Sequence, residues 1–524
     1  MCGIVARFAS MTDCDTTIVG RVLDRIRHRG TPDCQHEIGS FEGSTLAANR
    51  LPIISSPFQS QPVYSSDKST ALVFNGEIYN HRQLGRSVAV PNSGPDKGGD
   101  GPALAALLSA RGPHGLPDLE GMFAIVWVDK SRQRAYAARD FVGIKPLYYA
   151  WCDSSLLFAS EIKALADEDK VTEIHEVNPG TYVEIGWDAH GKPRFIGENT
   201  YFHASNIVSE PTTIPAIREG IEKAVDLCVN YGGKVGVYLS GGVDSSGVYA
   251  IAKRFHPSVT ALVLNGPKGI DGPVARRFVR SLGEEPVTRN CPNEEELFAL
   301  IQDTIRITES FEPNVVRQSS VQRYIALLAK DAGIEVILCG EGADEIFCGY
   351  PEFSAMDVRW HEMRLKFLHD LSRTQLQRVD RMSMWLTTEV RVPYLFKALI
   401  LLALAQRAKD FFLRIVDGEL TNKFCLRQSL AGYVPEEIRW RPKVVLSEGV
   451  GLGGNDPATG MFSSLVNAQM SSGEFLNIQE AFPRWHISTR EEAYYFQFFH
   501  QMGYSKAKFM QRRVFANVTN SMSS

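Results

Sequence analysis

The chain lacks any long hydrophobic run. Its longest strongly apolar stretch, Ala398–Ala405, falls far short of the roughly 20 residues that cross a bilayer and is expected inside a buried helix. The start lacks the basic region and apolar core of a signal peptide: a cysteine and charged residues come at once, and the cytoplasm is the expected compartment. Neither sign of charge is in excess. A formal net charge of -4 gives no electrostatic case for nucleic acid or a membrane surface. Cysteine is sparse, nine residues without a Cys-x-x-Cys pair, which argues against a disulfide framework and a zinc site. Internal repeats and long low-complexity segments are missing too. What is present is a globular composition, 44% hydrophobic and 22% charged, over 524 residues that call for two or more domains.

The texture changes near residue 205. Before it, short β segments alternate with Gly and Pro: Thr45–Leu51, Thr70–Phe74, Met122–Asp129, Arg134–Ala138, Leu156–Ala159 and Gly180–Ile185. Helical patterns are fewer, at Ile18–Ile26 and Gly101–Arg111. This reads as a sheet-rich α+β domain of two packed layers over 1-205. The polar stretch Ser205–Pro215 is the expected linker. From 206 to 524 the pattern is helix Ile217–Leu227, strand Lys234–Leu239, helix Ser246–Phe255 and strand Ser258–Leu264. A helix near Pro273–Leu282, helices through Ala332 and the strand Glu335–Leu338 follow. Such alternation predicts an α/β doubly wound parallel sheet. Beyond about 355 the chain reads as mostly helical, with a frayed polar tail at Asn517–Ser524.

Two loops carry phosphate chemistry. Ser240-Gly241-Gly242-Val243-Asp244-Ser245-Ser246 follows an apolar strand and opens a helix, an arrangement that aims backbone N–H groups and a helix dipole at an anion. No Lys follows the glycines, so this is not the nucleotide loop of kinases and GTPases; it suggests ATP cleaved to AMP and pyrophosphate. Cys339-Gly340-Glu341-Gly342-Ala343-Asp344-Glu345 follows the strand Glu335–Leu338 and is expected on the same rim. Asp244 and Asp344 could share a magnesium ion bound to ATP, with Glu341 as an acid/base group.

Cys2 is the third anchor. Removal of Met1 would leave its thiol beside a free α-amine, whose ordinary pKa of about 7.7–8.0 lets it accept the thiol proton. This is the logic of N-terminal nucleophiles. Arg50-Leu51, Asn75-Gly76-Glu77 and an acid near 100 supply a cation for a carboxylate, donors for an oxyanion and acids for an ammonium group.

In these motifs and their order the chain resembles glutamine-dependent asparagine synthetases over nearly its whole length. Met1-Cys2-Gly3-Ile4, Arg27-His28-Arg29-Gly30, Arg50-Leu51, Gln61-Pro62, Asn75-Gly76-Glu77-Ile78-Tyr79-Asn80 and Gly121-Met122-Phe123-Ala124 resemble the class II glutaminase domain. Arg139-Asp140, Gly143–Tyr148 and Ser160–Leu165 do as well. Ser240–Ser246, Gly340–Glu345, Glu389–Pro393 and Arg439–Lys443 resemble the synthetase domain. The resemblance implies an N-terminal nucleophile (Ntn) glutaminase domain, then an ATP-pyrophosphatase synthetase domain with a helical C-terminal part. It implies that Cys2 attacks glutamine, with Asn75 and Gly76 stabilising the oxyanion. Arg50, Leu51, Ile53, Ile54, Asn75, Gly76, Glu77 and Asp100 would bind glutamine. Leu239, Ser240, Gly241, Gly242, Asp244, Ser245, Ser246, Val263, Cys339 and Gly340 would bind ATP. Glu341 and Lys443 would serve adenylation and ammonia attack, and Asp244 and Asp344 would hold Mg2+. Ammonia would pass internally from one site to the other. A homodimer is also implied.

The chain departs from the family pattern at several places. Thr31 interrupts Arg-His-Arg-Gly-Pro-Asp, and Asn92–Asp100 is atypical, leaving Asp96 as a rival to Asp100. Cys339, Cys348 and Phe396 stand where Ser, Gly and Asp are usual. Asparagine formation from aspartate leads, with amidation of another carboxylic acid in specialised metabolism as the alternative these departures motivate. A catalytically degenerate binding or regulatory relative is the alternative of another class; it predicts missing catalytic groups, which are present. β-Lactam-forming synthetases typically lose the N-terminal Cys and carry Tyr at the Glu341 position. Glucosamine-phosphate synthases share only the glutaminase domain. Arg391 has an alternative reading as a structural ion-pair partner, and Trp440 reads as packing.

Overall fold

The computed structural model describes residues 2–10, 13, 15–53, 60–88, 99–230, 232–266, 268–355, 359–416, 418–454 and 460–509. Ile54, Asp96 and the tail Asn517–Ser524 lie outside them, as does most of Asn92–Asp100. The chain divides into two compact units, Met1–His203 with a segment beginning at His500, and Ala204–Phe499. That late segment differs from the expected division at 205: it joins the first unit, where Ile174 N donates to Lys506 O at 2.9 Å and Lys508 N to Ile174 O at 2.7 Å.

The strands of the first unit are β1 (Cys2–Phe8), β2 (Glu37–Phe41), β3 (Ser44–Arg50), β4 (Val63–Tyr64), β5 (Thr70–Ile78) and β6 (Gly121–Asp129). They continue with β7 (Arg134–Arg139), β8 (Tyr148–Cys152), β9 (Ser155–Ala159), β10 (His175–Glu176), β11 (Thr181–Trp187) and β12 (Pro193–Thr200). Two six-stranded sheets result, ordered β10-β8-β9-β1-β3-β2 and β12-β11-β7-β6-β5-β4. Each alternates apolar residues inward, so Ile4, Ala6, Phe8, Leu46 and Ala48 of one sheet share a core with Ala71, Val73, Ala124 and Val126 of the other. The two-layer expectation holds. The sequence reading missed β1, β2, β4, β8, β10 and β12; β1 is buried along its whole length and shows no alternation of polarity to mark it.

Period two has a consequence at the sheet ends. Counting by twos from the core positions leads from Ile4 to Cys2, from Ala48 to Arg50, and from Val73 to Asn75 and Glu77. The register pairs Cys2 with Arg50 and Asn75 with Ala124. The residues singled out from sequence are thus the inward-facing ends of core strands.

The second unit holds β13 (Val235–Tyr238), β14 (Thr260–Asn265), β15 (Val287–Asn290), β16 (Val336–Leu338) and β17 (Glu389–Arg391), in the order β15-β14-β13-β16-β17. All neighbours are parallel. The chain winds outward from β13 in one direction and then returns to add β16 and β17 on the other side. The order reverses between β13 and β16, where ligands of such sheets bind. After 355 the chain is mostly helical, as expected, and β17 and the hairpin Arg414–Val416 with Glu419–Thr421 are short strands within that stretch. The charged ends of β17 disguise a buried strand: Arg391 donates to Glu389 Oε1 at 2.5 Å and to Cys228 O at 2.8 Å. The expected linker is shorter than Ser205–Pro215, because Thr213 caps the helix Ile214–Val229 and Pro215 sits in its first turn.

Candidate functional site

At the thiol site the nitrogen of Cys2, which becomes an α-amine once Met1 is removed, donates to Asn75 Oδ1 at 3.0 Å. That bond orients the Asn75 amide and leaves its Nδ2 buried with no hydrogen-bond partner among the described residues. An unmatched buried donor beside a nucleophile is what an oxyanion would satisfy. Gly76 lies at φ 147°, and a Cβ there would stand 1.9 Å from Met122 O, so only glycine fits. Burial raises the Cys2 thiol's pKa, opposed by the Leu51 backbone N–H and the Arg50 charge. Such a thiol needs a base in contact.

The pocket wall is fixed by ion pairs. Arg50 donates through Nε to both Glu37 oxygens, at 3.1 and 3.2 Å. Its Nη2 meets Cys34 Sγ at 3.4 Å. Asp100 is buried in the first turn of the helix Asp100–Arg111, one residue earlier than expected, and accepts from Ile78 N at 3.2 Å. Burial raises its pKa. Glu77 and Leu51 are buried and Ile53 is half-buried. Thr31 donates its N–H to Arg50 O at 3.0 Å, so the inserted residue is tied to the pocket-lining strand. Arg29 donates to Cys2 O at 3.1 Å and to Glu161 Oε1 at 2.6 Å, joining two of the sequence motifs behind the nucleophile.

Gln61 was missed as a functional residue. Its Nε2 lies 3.3 Å from Cys2 Sγ and 3.0 Å from Phe74 O, while its Oε1 accepts from Phe74 N at 2.8 Å. It therefore holds the thiol against β5. The Gln61-Pro62 pair was visible in the sequence, but nothing local assigned it a role.

The phosphate site forms where the chain leaves β13 and β16. The helix after β13 runs Val243–Phe255, with Gly242 at its N-cap, three residues earlier than the sequence reading. Asp244, Ser245 and Ser246 therefore lie in its first turn. Gly241, at φ 73°, lets the loop turn where a Cβ would meet Ala275 N at 2.9 Å. Ser240 Oγ and Ser245 Oγ stand 3.1 Å apart. Leu239, Ser240, Asp244, Ser245, Cys339, Gly340, Glu341, Asp344 and Lys443 all line a cavity of about 170 Å³. Gly242 borders the adjoining pocket. Gly241, Ser246 and Val263 line neither; Leu264 takes the wall position next to Val263, and Ser246 is fully buried.

Asp244 and Asp344 converge as expected, through a residue the sequence did not flag. Lys423 Nζ is 2.6 Å from Asp244 Oδ2 and 2.6 Å from Asp344 Oδ1, and Lys443 Nζ is 2.7 Å from Asp344 Oδ2. Burial alone would raise the Asp344 carboxyl, but the two lysines hold it well below the usual range. Lys443 is partly exposed, and the neighbouring aspartates raise its pKa and keep it charged. Among the described residues no three His, Cys, Asp or Glu gather as a metal group. Two carboxylates, with Asp244 Oδ1 buried and lacking a hydrogen-bond partner, fit an ion that takes its other ligands from phosphates and water. Glu341 Oε1 accepts from Arg378 Nη2 at 2.5 Å.

The departures have local explanations. Cys348 sits at φ 59°, the left-handed region that favours glycine. Phe396 is the N-cap of the helix Lys397–Ala405, where it offers no side-chain hydrogen bond. An Asp would cap there, so Phe396 bears on helix stability and not on the cavity wall. Cys339 does line the cavity, with its N–H donating to Arg391 O at 3.1 Å. Trp440 packs near Phe424, ring centroids 6.4 Å apart.

Among the described residues no helix is long and apolar enough to cross a membrane. The family description for a glutamine amidotransferase domain matches residues 1–194, and that for asparagine synthase matches 216–363 and 354–476. Asparagine synthetase B [glutamine-hydrolyzing] of Escherichia coli is 29% identical over 95% of this chain and 90% of its own. Asparagine synthetase [glutamine-hydrolyzing] 3 of Arabidopsis thaliana is 30% identical over 94% and 86%. A solved glutamine phosphoribosylpyrophosphate amidotransferase from B. subtilis aligns with a TM-score of 0.31 and 17% identity over 65% of this chain and 81% of that one, too loosely to argue from.

Proposed function

The chain belongs to the family of glutamine-hydrolysing asparagine synthetases, and from that premise we propose that it converts aspartate to asparagine at the expense of glutamine and ATP. Cys2 gives its thiol proton to its own α-amine and attacks the glutamine side-chain amide. The oxyanion is received by Asn75 Nδ2 and the Gly76 N–H. Collapse expels ammonia with the returned proton, and water hydrolyses the thioester to glutamate. Arg50 takes the glutamine α-carboxylate, and Glu77 and Asp100 its α-ammonium.

In the second unit the acceptor carboxylate attacks the α-phosphorus of ATP, and pyrophosphate leaves. Ammonia then attacks the acyl carbon, AMP departs, and Glu341 takes up a proton. Lys443 offsets negative charge developing on the phosphates. Asp244 and Asp344 would hold Mg2+, which supplies charge neutralisation to the phosphates when bound. The cytoplasm as the working compartment and a homodimer as the working form belong to the same reading.

The convergence of Asp244 and Asp344 on Lys423, beside Lys443 and a cavity, carries this reading. Pyrophosphate release should require ATP, magnesium and aspartate, with glutamine or ammonia turning the product into asparagine. Release with some other acid but none with aspartate would overturn it.

A further inference from the structure

Glu37 breaks the polarity of its strand. β2 pairs Glu37 with Ala48 of β3, so both point to the core face, while the next residue, Ile38, points outward and is 39% exposed. A carboxylate inside and an isoleucine outside reverse the usual order of a sheet with one buried face. Two donors from different parts of the chain meet that carboxylate. One is Arg50, two residues on from Ala48 along the same face of β3, whose Nε donates to Oε1 at 3.1 Å and to Oε2 at 3.2 Å. The other is the backbone N–H of Gln61, which donates to Oε2 at 2.8 Å. The chain after Gln61 lies across β2: a Cβ at Gly39, the next inward position, would stand 3.1 Å from Pro62 Cγ. The Glu37 side chain is 16% and that of Arg50 5% exposed, so water screens the pair only weakly.

The two donors serve opposite ends of the glutamine pocket. Arg50 is assigned the α-carboxylate of glutamine. Gln61 grips the nucleophile, its Nε2 donating to Cys2 Sγ at 3.3 Å and to Phe74 O at 3.0 Å. Cys2 and Arg50 are already neighbours by strand register, whereas Gln61 comes from the segment before β4 and is tied to their sheet through Glu37. One carboxylate thus fixes both the group that orients the substrate and the backbone of the group that orients the thiol. The α-carboxylate and the reacting amide of glutamine are joined by a short flexible chain. The separation of Arg50 from Cys2 therefore decides whether the amide carbon arrives at the sulfur.

We propose that Glu37 is a positioning residue of the glutaminase reaction, one that holds Arg50 and, through Gln61, the Cys2 thiol at a fixed separation. This rests on the glutaminase half of the reading above and adds to it a residue outside every motif named from the sequence.

The test measures glutamate release from glutamine by the full chain. Glu37→Ala should raise KM for glutamine about tenfold through Arg50 and lower kcat about tenfold through Gln61, the scale of a lost hydrogen bond at each end. Glu37→Gln keeps an oxygen for both N–H groups and should recover kcat to within about threefold of wild type. Glu37→Ala in a Gln61→Leu background, where the thiol has already lost its amide, separates the two ends: the KM rise should persist and kcat should fall no further. The two single variants at Glu37 decide the matter if the double variant does not fold. Unchanged KM and kcat in Glu37→Ala, a Glu37→Gln variant as slow as Glu37→Ala, or an equal loss of kcat with and without the Gln61 side chain overturns the proposal and leaves the glutaminase reading standing. No glutamate release from the wild type would instead overturn that reading itself.

Discussion

The thiol site and the phosphate site solve opposite problems. Around Cys2 the neighbours are core strands, and the chemistry depends on a neutral amide, Asn75, with one donor left unmatched. Around Asp344 the neighbours are charges, and the carboxylates and lysines balance one another. The first site is a packing problem, because its geometry follows from strand register. The second is a charge problem, because taking a carboxylate or an ammonium out of water is favourable only with a partner. Damage should therefore differ in kind: loss of chemistry alone at the first, loss of chemistry and folding together at the second.

Cys2→Ala tests the independence of the two. Glutamine-driven synthesis should fall by about 10⁴-fold or more, while ammonia-driven synthesis stays near wild type. Parallel assays with the two nitrogen donors measure it, and loss of both in a folded protein would break the comparison. Asn75→Ala should lower glutaminase kcat by about 10²–10³-fold with little change in melting temperature. A large drop in melting temperature would instead make Asn75 a structural residue. Asp344→Asn should reduce pyrophosphate release about 100-fold and also destabilise the fold by about 3–5 kcal/mol, because Lys423 and Lys443 lose a buried counter-charge. Denaturant melts alongside pyrophosphate assays would show whether both effects appear.

The smallest effect is on pH dependence. Burial, with Asp344 nearby, pushes the Glu345 carboxyl up to about 8, and the Tyr350 hydroxyl donates to its Oε1 at 2.6 Å. A glutamate in the unfolded chain releases its proton near pH 4.3 (about its ordinary pKa). Stability from this group is therefore full below that value and lost as pH rises toward 8. The melting temperature should drop a few degrees between mildly acidic and mildly alkaline buffer, and Glu345→Gln should flatten the change. A variant with the same slope as wild type would remove Glu345 as its source.

The same contrast governs what could be read without coordinates. Cys2 was legible from its place after Met1, and Arg50, Asn75 and Glu77 from their motifs, whereas the strand register that turns them toward one another was not. Gly76 was legible as a motif, and its reason, Met122 O at 1.9 Å from any Cβ, needs the register with β6. In the second unit the loops were legible, but their partners were not. Lys423, at the N-cap of a helix, and Arg378, on the helix Gln375–Met384, lie farther along the chain, and a lone Lys or Arg there looks like solvent-facing surface. Glu389-Val390-Arg391 hid a strand for the same reason, since its charges neutralise each other out of sight. Phe396 misled in the other direction: a departure in a familiar motif suggested a new acceptor, yet the position is a helix cap.

Lys423 joins three pieces of chain that are remote in sequence, the turns after β13 and β16 and the start of the helix Phe424–Ser429. In a library of random variants position 423 should be among the least tolerant of the unit, although no substrate atom need touch it. A shorter or uncharged side chain would release both turns at once, and selection for catalysis and selection for abundance would reject the same clones.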